Sequence, residues 1–239
     1  MLITTNAIVL SKLKYREADL IVRCYTEQCG IVSFLLRNVL KSKKGSAKTA
    51  HFQLLTQLKL EVNLKNNRSL QAIKETKINH IYTSLHSNVL KSSIVMFLAE
   101  VLASSLKEEE QNKTLFSYIE TTLLWLDVHS DYSNFHLLFL INLTKYLGFY
   151  PDTTHIEYAY FNLNAGKFEE EKKDRYAITG ENIILLKQLL GTTFDDLSHV
   201  KINHKQRQSF LSMILLYFEL HLGSFKPPKS LQIFNQVFN

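Results

Sequence analysis

Between Lys12 and Lys48 the chain carries ten side chains suited to one kind of chemistry: Lys12, Lys14, Tyr15, Arg16, Arg23, Arg37, Lys41, Lys43, Lys44 and Lys48. Nine are cations. Cations massed at the ends of apolar runs neutralise phosphates, and an aromatic ring among them offers a platform on which a base can stack. Tyr15, set among Lys12, Lys14 and Arg16, is the stacking candidate. Tyr25 and Phe34 compete with core filling, which is the favoured role for Phe34. Ser42, Gly45, Ser46 and Thr49 are interleaved with the lysines from Lys41 to Lys48. Such a segment suits contact with phosphates and not with base edges, so binding independent of sequence is expected.

Catalytic patterns do not occur. The chain has no G-x-x-x-x-G-K-[ST] or G-x-G-x-x-G loop to cradle a phosphate, no H-E-x-x-H and no G-x-S-x-G. His199 and His204 are spaced wrongly for one helix face. His136, inside an apolar segment, is expected as a hydrogen-bonded core histidine and not as a metal ligand. Asp195-Asp196 follow Thr192-Thr193 and suggest capping or solvation. Glu108 to Glu110 suggest a solvated helix end. No cofactor and no metal are expected.

Charge locates the partner. Residues 1–80 hold 14 Lys/Arg against 5 Asp/Glu, a net +9, while residues 81–239 hold 14 against 17, a net −3. That asymmetry points the first part of the chain at a polyanion. Cys24 and Cys29, the only two cysteines, match neither C-x-x-C nor a zinc ribbon, and free thiols in a reducing compartment are expected. The first residues lack a basic n-region and a small-residue cleavage site, so no signal peptide is expected. The apolar stretch near Leu137 to Leu143 is far short of a membrane span.

Short strands must position these cations. Met1–Leu10, Asp19–Tyr25, Ile31–Leu36, Phe52–Val62 and Ser69–Ile73 read as five strands, with turns at Glu27–Gly30 and Asn66-Asn67. Alternation is cleanest from Phe52 to Val62, with Leu55 as the exception. Five strands without a long helix between them suggest a small barrel, an OB-fold or, second, an SH3-like barrel. From about Ile78 the period becomes helical. Asn134 is placed to cap the apolar helix Phe135–Leu147, which Gly148 ends. Asn162–Gly166 reads as a hairpin turn. Helices follow from Glu181 to Leu190 and from Gln206 to Leu222. The fold class is therefore α+β. A five-stranded N-terminal barrel over residues 1–78 is expected to precede an α-helical domain over 79–239, with a hairpin insertion near 150–180.

Several of these segments resemble the RecO family of recombination mediators. The likeness is carried by Tyr15-Arg16-Glu17-Ala18-Asp19-Leu20-Ile21-Val22, then Thr26, Gly30, Arg37 and Ser42-Lys43-Lys44. It continues in Leu147-Gly148-Phe149-Tyr150-Pro151, and ends in His221-Leu222-Gly223 and Lys229-Ser230-Leu231. The resemblance implies an N-terminal OB-fold and a helical C-terminal domain. It implies binding of single- and double-stranded DNA, annealing of complementary strands, and work with RecR to load RecA onto DNA coated with single-strand-binding protein (SSB). It also implies a cytoplasmic, nucleoid-associated protein on which the SSB C-terminal tail docks. That tail needs an apolar groove beside a cation, and Lys113 and Lys145 are the candidates, with plain solvation as their competing role. Many members carry cysteines after L-G-F-x-P in a zinc-finger-like insertion. Residues 151–180 here have none, so no zinc is expected.

The leading expectation is a non-enzymatic DNA-binding mediator. An RNA- or ribosome-associated OB protein is the alternative. A metabolic enzyme with a site in the helical domain is the third.

Overall fold

A computed structural model of the chain describes residues 1–41, 49–106 and 111–238. The chain forms two compact units, Met1–Asp127 and Val128–Asn239.

The first unit is built on five strands: β1 (Leu2–Tyr15), β2 (Asp19–Thr26), β3 (Gly30–Leu36), β4 (Gln57–Asn63) and β5 (Ala72–Ile78). All neighbours in the order β3-β2-β1-β4-β5 are antiparallel. The sheet closes by a parallel bridge from Phe34 to Gln71, where Leu35 N donates to Gln71 O at 3.0 Å and Gln71 N to Ser33 O at 2.9 Å. This is an OB-fold barrel. Gly30 makes the β2–β3 turn possible with φ 62, a backbone state that costs glycine nothing.

Alternation explains the barrel interior. Ala7, Val9, Val22, Cys24, Phe34, Leu58, Leu60 and Val62 are fully buried and form one cluster. Ile8 and Leu10, which alternate with them on β1, are buried as well. The helix α1 (Val89–Ser105) packs on β1 and removes that second face from water. A second helix, α2 (Lys113–Val128), covers Tyr25, whose ring lies 5.8 Å from that of Phe116 and whose hydroxyl donates to Asn112 O at 3.0 Å.

Three strands depart from the sequence reading. β1 continues past Leu10 to Tyr15, which puts Lys12 and Lys14 on a strand. The alternation that begins at Phe52 becomes a strand only at Gln57. Phe52 instead plugs the barrel core, and Leu55, the exception in the pattern, adopts φ 57 and is fully buried. An apolar alternation serves a plugging turn as well as a strand. β5 runs from Ala72 to Ile78, where the sequence suggests Ser69–Ile73. Its Lys74, Glu75 and Lys77 hide the strand signal and are held by ion pairs, Lys74–Glu61 at 2.7 Å and Lys77–Glu75 at 3.1 Å.

One carboxylate ties the strands' exit to the helices. Asp127, 2% exposed at the end of α2, accepts from the backbone N–H groups of Thr83, Ser84 and Leu85, each at 2.8 Å, and from the Thr83 hydroxyl at 2.9 Å. Burial raises its pKa, but these donors outweigh burial and bring the carboxyl down to about 2. Lys91 of α1, also buried, donates to Ser84 Oγ at 2.7 Å and to Asp127 O at 2.8 Å.

The second unit centres on α3 (Phe135–Leu147), buried at every position from Phe135 to Ile141 and ended by Gly148 at φ 84. Asn134 stands at the N-cap position but does not cap. Its side chain instead donates to Val200 O at 2.8 Å and accepts from Arg207 Nε at 3.1 Å. A small sheet follows, of β6 (Tyr160–Asn162), β7 (Lys167–Glu169) and β8 (Ala177–Ile178), in the order β7-β6-β8. Asn162 organises its turns: Oδ1 accepts from the N–H groups of Asn164 and Ala165, and Nδ2 donates to Glu169 and Asp174. With the packed rings of Phe161 and Phe168, this accounts for the hairpin through hydrogen bonding and packing. Among the described residues no group of His, Cys, Asp or Glu is arranged to hold a metal ion. The unit is completed by α4 (Glu181–Leu190), α5 (His204–His221) and α6 (Leu231–Val237).

The two family-like motifs of this unit meet as structure. Phe149 stacks on His221 with centroids 5.1 Å apart, and Tyr217 donates to Phe149 O at 2.7 Å. His136 is wholly buried against Phe234 of α6, and burial brings its pKa down to about 3. Asp196 takes the expected local role, accepting from the Thr193 hydroxyl at 2.6 Å.

Three outcomes follow from this packing. Asp127→Asn should lower stability by about 2 kcal/mol at pH 7, since a carboxyl shifted from 3.8 to about 2 stabilises the fold above pH 3.8 and loses that effect as pH falls through 2. Urea unfolding of the two proteins at pH 7 measures the difference. His136, depressed from 6.5 to about 3, stabilises the fold fully above pH 6.5. Stability should fall by about 1.4 kcal/mol per pH unit below that as the unfolded chain takes up the proton. Denaturation midpoints from pH 4.5 to 7 should show this slope, and His136→Phe should flatten it. Gly166→Ala should lower the thermal midpoint by several degrees, because its Cβ would stand 2.9 Å from the Tyr217 hydroxyl at a backbone φ of +67.

Candidate nucleic-acid interface

The cations picked out by sequence gather in part at one end of the barrel. β1 and β2 form a hairpin that carries Lys12 and Lys14 opposite Val22 and Leu20. Both lysines are exposed, and as residues two apart they share one face of the strand. At the hairpin tip Arg16 takes φ 53 and lies 5.2 Å from the centroid of the half-buried Tyr15 ring. The tip is tied to the chain that leaves β3. Asn38 N donates to Asp19 Oδ1 at 2.8 Å, and Leu40 N to Ala18 O at 3.0 Å. Those bonds bring Tyr15 and Arg16 beside Lys41, whose Nζ is 4.0 Å from Glu17. Exposed Arg37 lies just beyond β3. Lys43, Lys44 and Lys48 lie outside the described residues.

Other sequence candidates go elsewhere. Arg23, at the middle of β2, turns to α1 and donates to Ala103 O at 3.3 Å. Phe34 fills the barrel and Tyr25 packs beneath α2, so neither ring is on the surface. Lys113 is exposed at the start of α2, in the first unit. Lys145 is exposed in the last turn of α3, in the second unit, with its ammonium 4.6 Å from the centroid of Tyr150.

A feature the sequence did not disclose is an open groove of about 660 Å³ between the end of β3 and the start of β5. Arg37, His51, Arg68 and Lys74 reach it, over a floor that includes Leu36, Leu70 and Ile73. Glu75 is the carboxylate on its wall. Lys74 is committed to Glu61, which leaves the two guanidinium groups as its main source of positive charge. The loop that bears Arg68 is shaped by Gln71, whose side chain bonds Lys65 N and O and Arg68 O. Arg68 sits next to Asn66-Asn67 in the sequence, so a cation in the β4–β5 turn was the available signal. A second, shallower concavity of about 490 Å³ opens beside Lys12, with Gln53, Leu54, His86 and Ser92 around it.

This surface has the chemistry of a phosphate-binding rim: cations with guanidinium forks, an aromatic ring at the edge, and few carboxylates. No helix among the described residues is long and apolar enough to cross a membrane.

Known proteins share the whole chain. The family model described as "Recombination protein O N terminal" matches residues 1–82, and that described as "Recombination protein O C terminal" matches residues 86–232. A protein named DNA repair protein RecO from Christiangramia forsetii is 47% identical over 238 residues, which is 100% of both chains. Proteins of the same name from Flavobacterium psychrophilum and Bacteroides fragilis are 41% and 35% identical, again over 100% of each chain. With both family models and full-length relatives in agreement, the chain belongs to the RecO family of DNA repair proteins.

Proposed function

We propose that this RecO-family chain binds single- and double-stranded DNA without regard to sequence and anneals complementary strands. In this reading it also works with RecR to place RecA on SSB-coated DNA. The observation that carries the reading is the exposed set Lys12, Lys14, Arg16, Arg37 and Lys41 at one end of an OB barrel in a chain of this family. Five cations with only scattered carboxylates neutralise phosphates, and neutralising both strands lowers the repulsion that opposes annealing. The chain acts by binding and not by a covalent step. Residues 1–78 carry the DNA contacts and residues 79–239 the partner contacts, where Lys113 and Lys145 are the cations assigned to an acidic SSB tail. Cytoplasmic placement on the nucleoid follows from such partners.

Salt dependence tests the first part. If the five described cations each meet a phosphate of single-stranded DNA, log K summed over the strands bound should fall with log salt with a slope of about −3.5. A flat dependence, measured by fluorescence anisotropy with labelled oligonucleotides, removes the phosphate reading. Equal affinity for RNA of the same length would favour an RNA-binding role. Lys43→Glu combined with Lys44→Glu should weaken binding about tenfold or more for every sequence alike. For the mediator role, the protein should speed duplex formation between complementary strands coated with SSB, and RecR should be retained on the immobilised protein.

A further inference from the structure

The segment between β3 and β4 divides the basic end of the barrel in two. Its residues face opposite ways: His51 and Phe52 border the groove of about 660 Å³, while Gln53 and Leu54 border the concavity of about 490 Å³. The divider is fixed. Phe52 is 2% exposed in the barrel core, and Leu55 N donates to Val9 O at 2.7 Å. Tyr82 donates its hydroxyl to Leu55 O at 3.1 Å, and His86 Nε2 meets Leu54 O at 2.9 Å.

Each side has its own cations. The groove has Arg37 and Arg68, with the half-buried Leu36, Leu70 and Ile73 beneath them. The concavity has Lys12 at its wall, and Lys14 continues the same face of β1 toward the hairpin tip. We propose that these are two separate seats, each for one nucleic-acid strand, with the segment from His51 to Leu54 as the partition between them. The proposal rests on the nucleic-acid reading given above and deepens it.

Physical reasons favour two occupants over one. A volume of about 660 Å³ lies within the range of sites that hold one small ligand, so it accommodates one or two nucleotides and not a duplex. The guanidinium forks suit phosphate oxygens, and the apolar floor suits the faces of unstacked bases. The concavity is open and polar, which suits a backbone held mainly by charge. Two polyanions repel each other. Seating both on one rigid barrel neutralises each separately and makes their encounter intramolecular, which raises the effective concentration of one strand near the other.

The test counts strands. Native mass spectrometry of the full chain with oligonucleotides of about six residues, near the lower site size of an OB barrel, reads the number bound per chain. Wild type should bind two. Arg37→Ser with Arg68→Ser should bind one, and so should Lys12→Ser with Lys14→Ser. At protein concentrations that saturate one strand, either double variant should anneal complementary strands at least tenfold more slowly than wild type. Thermal unfolding of both variants checks that the barrel is intact, and all four side chains lie at the surface. One strand per wild-type chain overturns the two-seat proposal while leaving nucleic-acid binding in place. So do variants that still bind two, or that anneal at the wild-type rate when saturated. No strand bound to wild type removes the nucleic-acid reading itself, and this proposal with it.

Discussion

The acceptor capacity of one buried carboxylate holds the first unit together. After β5 the chain must turn back toward α1, and its amides at Thr83, Ser84 and Leu85 have no strand or helix partner. Asp127 accepts all three. An unpaired buried N–H is costly, so without Asp127 the turn would have to open to water. Lys91 adds a second tie from α1 to the same corner. The helix that covers Ile8 and Leu10 is thereby fixed in place, and β1 can be apolar on both faces. The far end of β1, with Lys12 and Lys14, remains exposed.

The charge asymmetry then acquires a location. Strand interiors of the barrel are apolar, so its cations are displaced to turns, strand ends and the solvent face. The hairpin tip and the segment after β3 are knitted by two hydrogen bonds, which gathers cations that are some twenty residues apart in sequence. The second unit shows the opposite use of its conspicuous residues. Gly148, Phe149 and His221, which carry much of the family likeness, are spent on packing and on ending a helix. Conspicuous residues thus form an exposed basic end in the first unit and a folding device in the second.

Much of the barrel was legible in the sequence, because period-two burial and the Gly30 turn are local signals. The parts that were not legible depend on tertiary partners. Only the break at Leu55 sets the alternation that begins at Phe52, which plugs the barrel, apart from that at Leu58–Val62, which pairs. β5 was misplaced because exposed charges interrupt its apolar pattern, and the cross-strand pair that holds one of them, Lys74–Glu61, is not displayed by a sequence. Asn134 has the right type and position to cap α3, yet Arg207 and Val200, more than sixty residues away, claim its side chain. The rim cations were found as a cluster in sequence. Arg68 joined them only through the closure of β3 on β5.

That closure is brief, and it leaves β5 paired along its length only to β4. An exposed strand edge is a template for another chain's backbone. A protein that crowds along a polyanion would meet its own copies at high local density, where such an edge invites stacking into fibres. Here the edge carries Lys74, Glu75 and Lys77, and Lys59 stands directly opposite Lys77. A copy approaching to extend the sheet would have to bury those charges. The charges that make this strand hard to see in the sequence are thus the same ones that oppose its pairing with a neighbour.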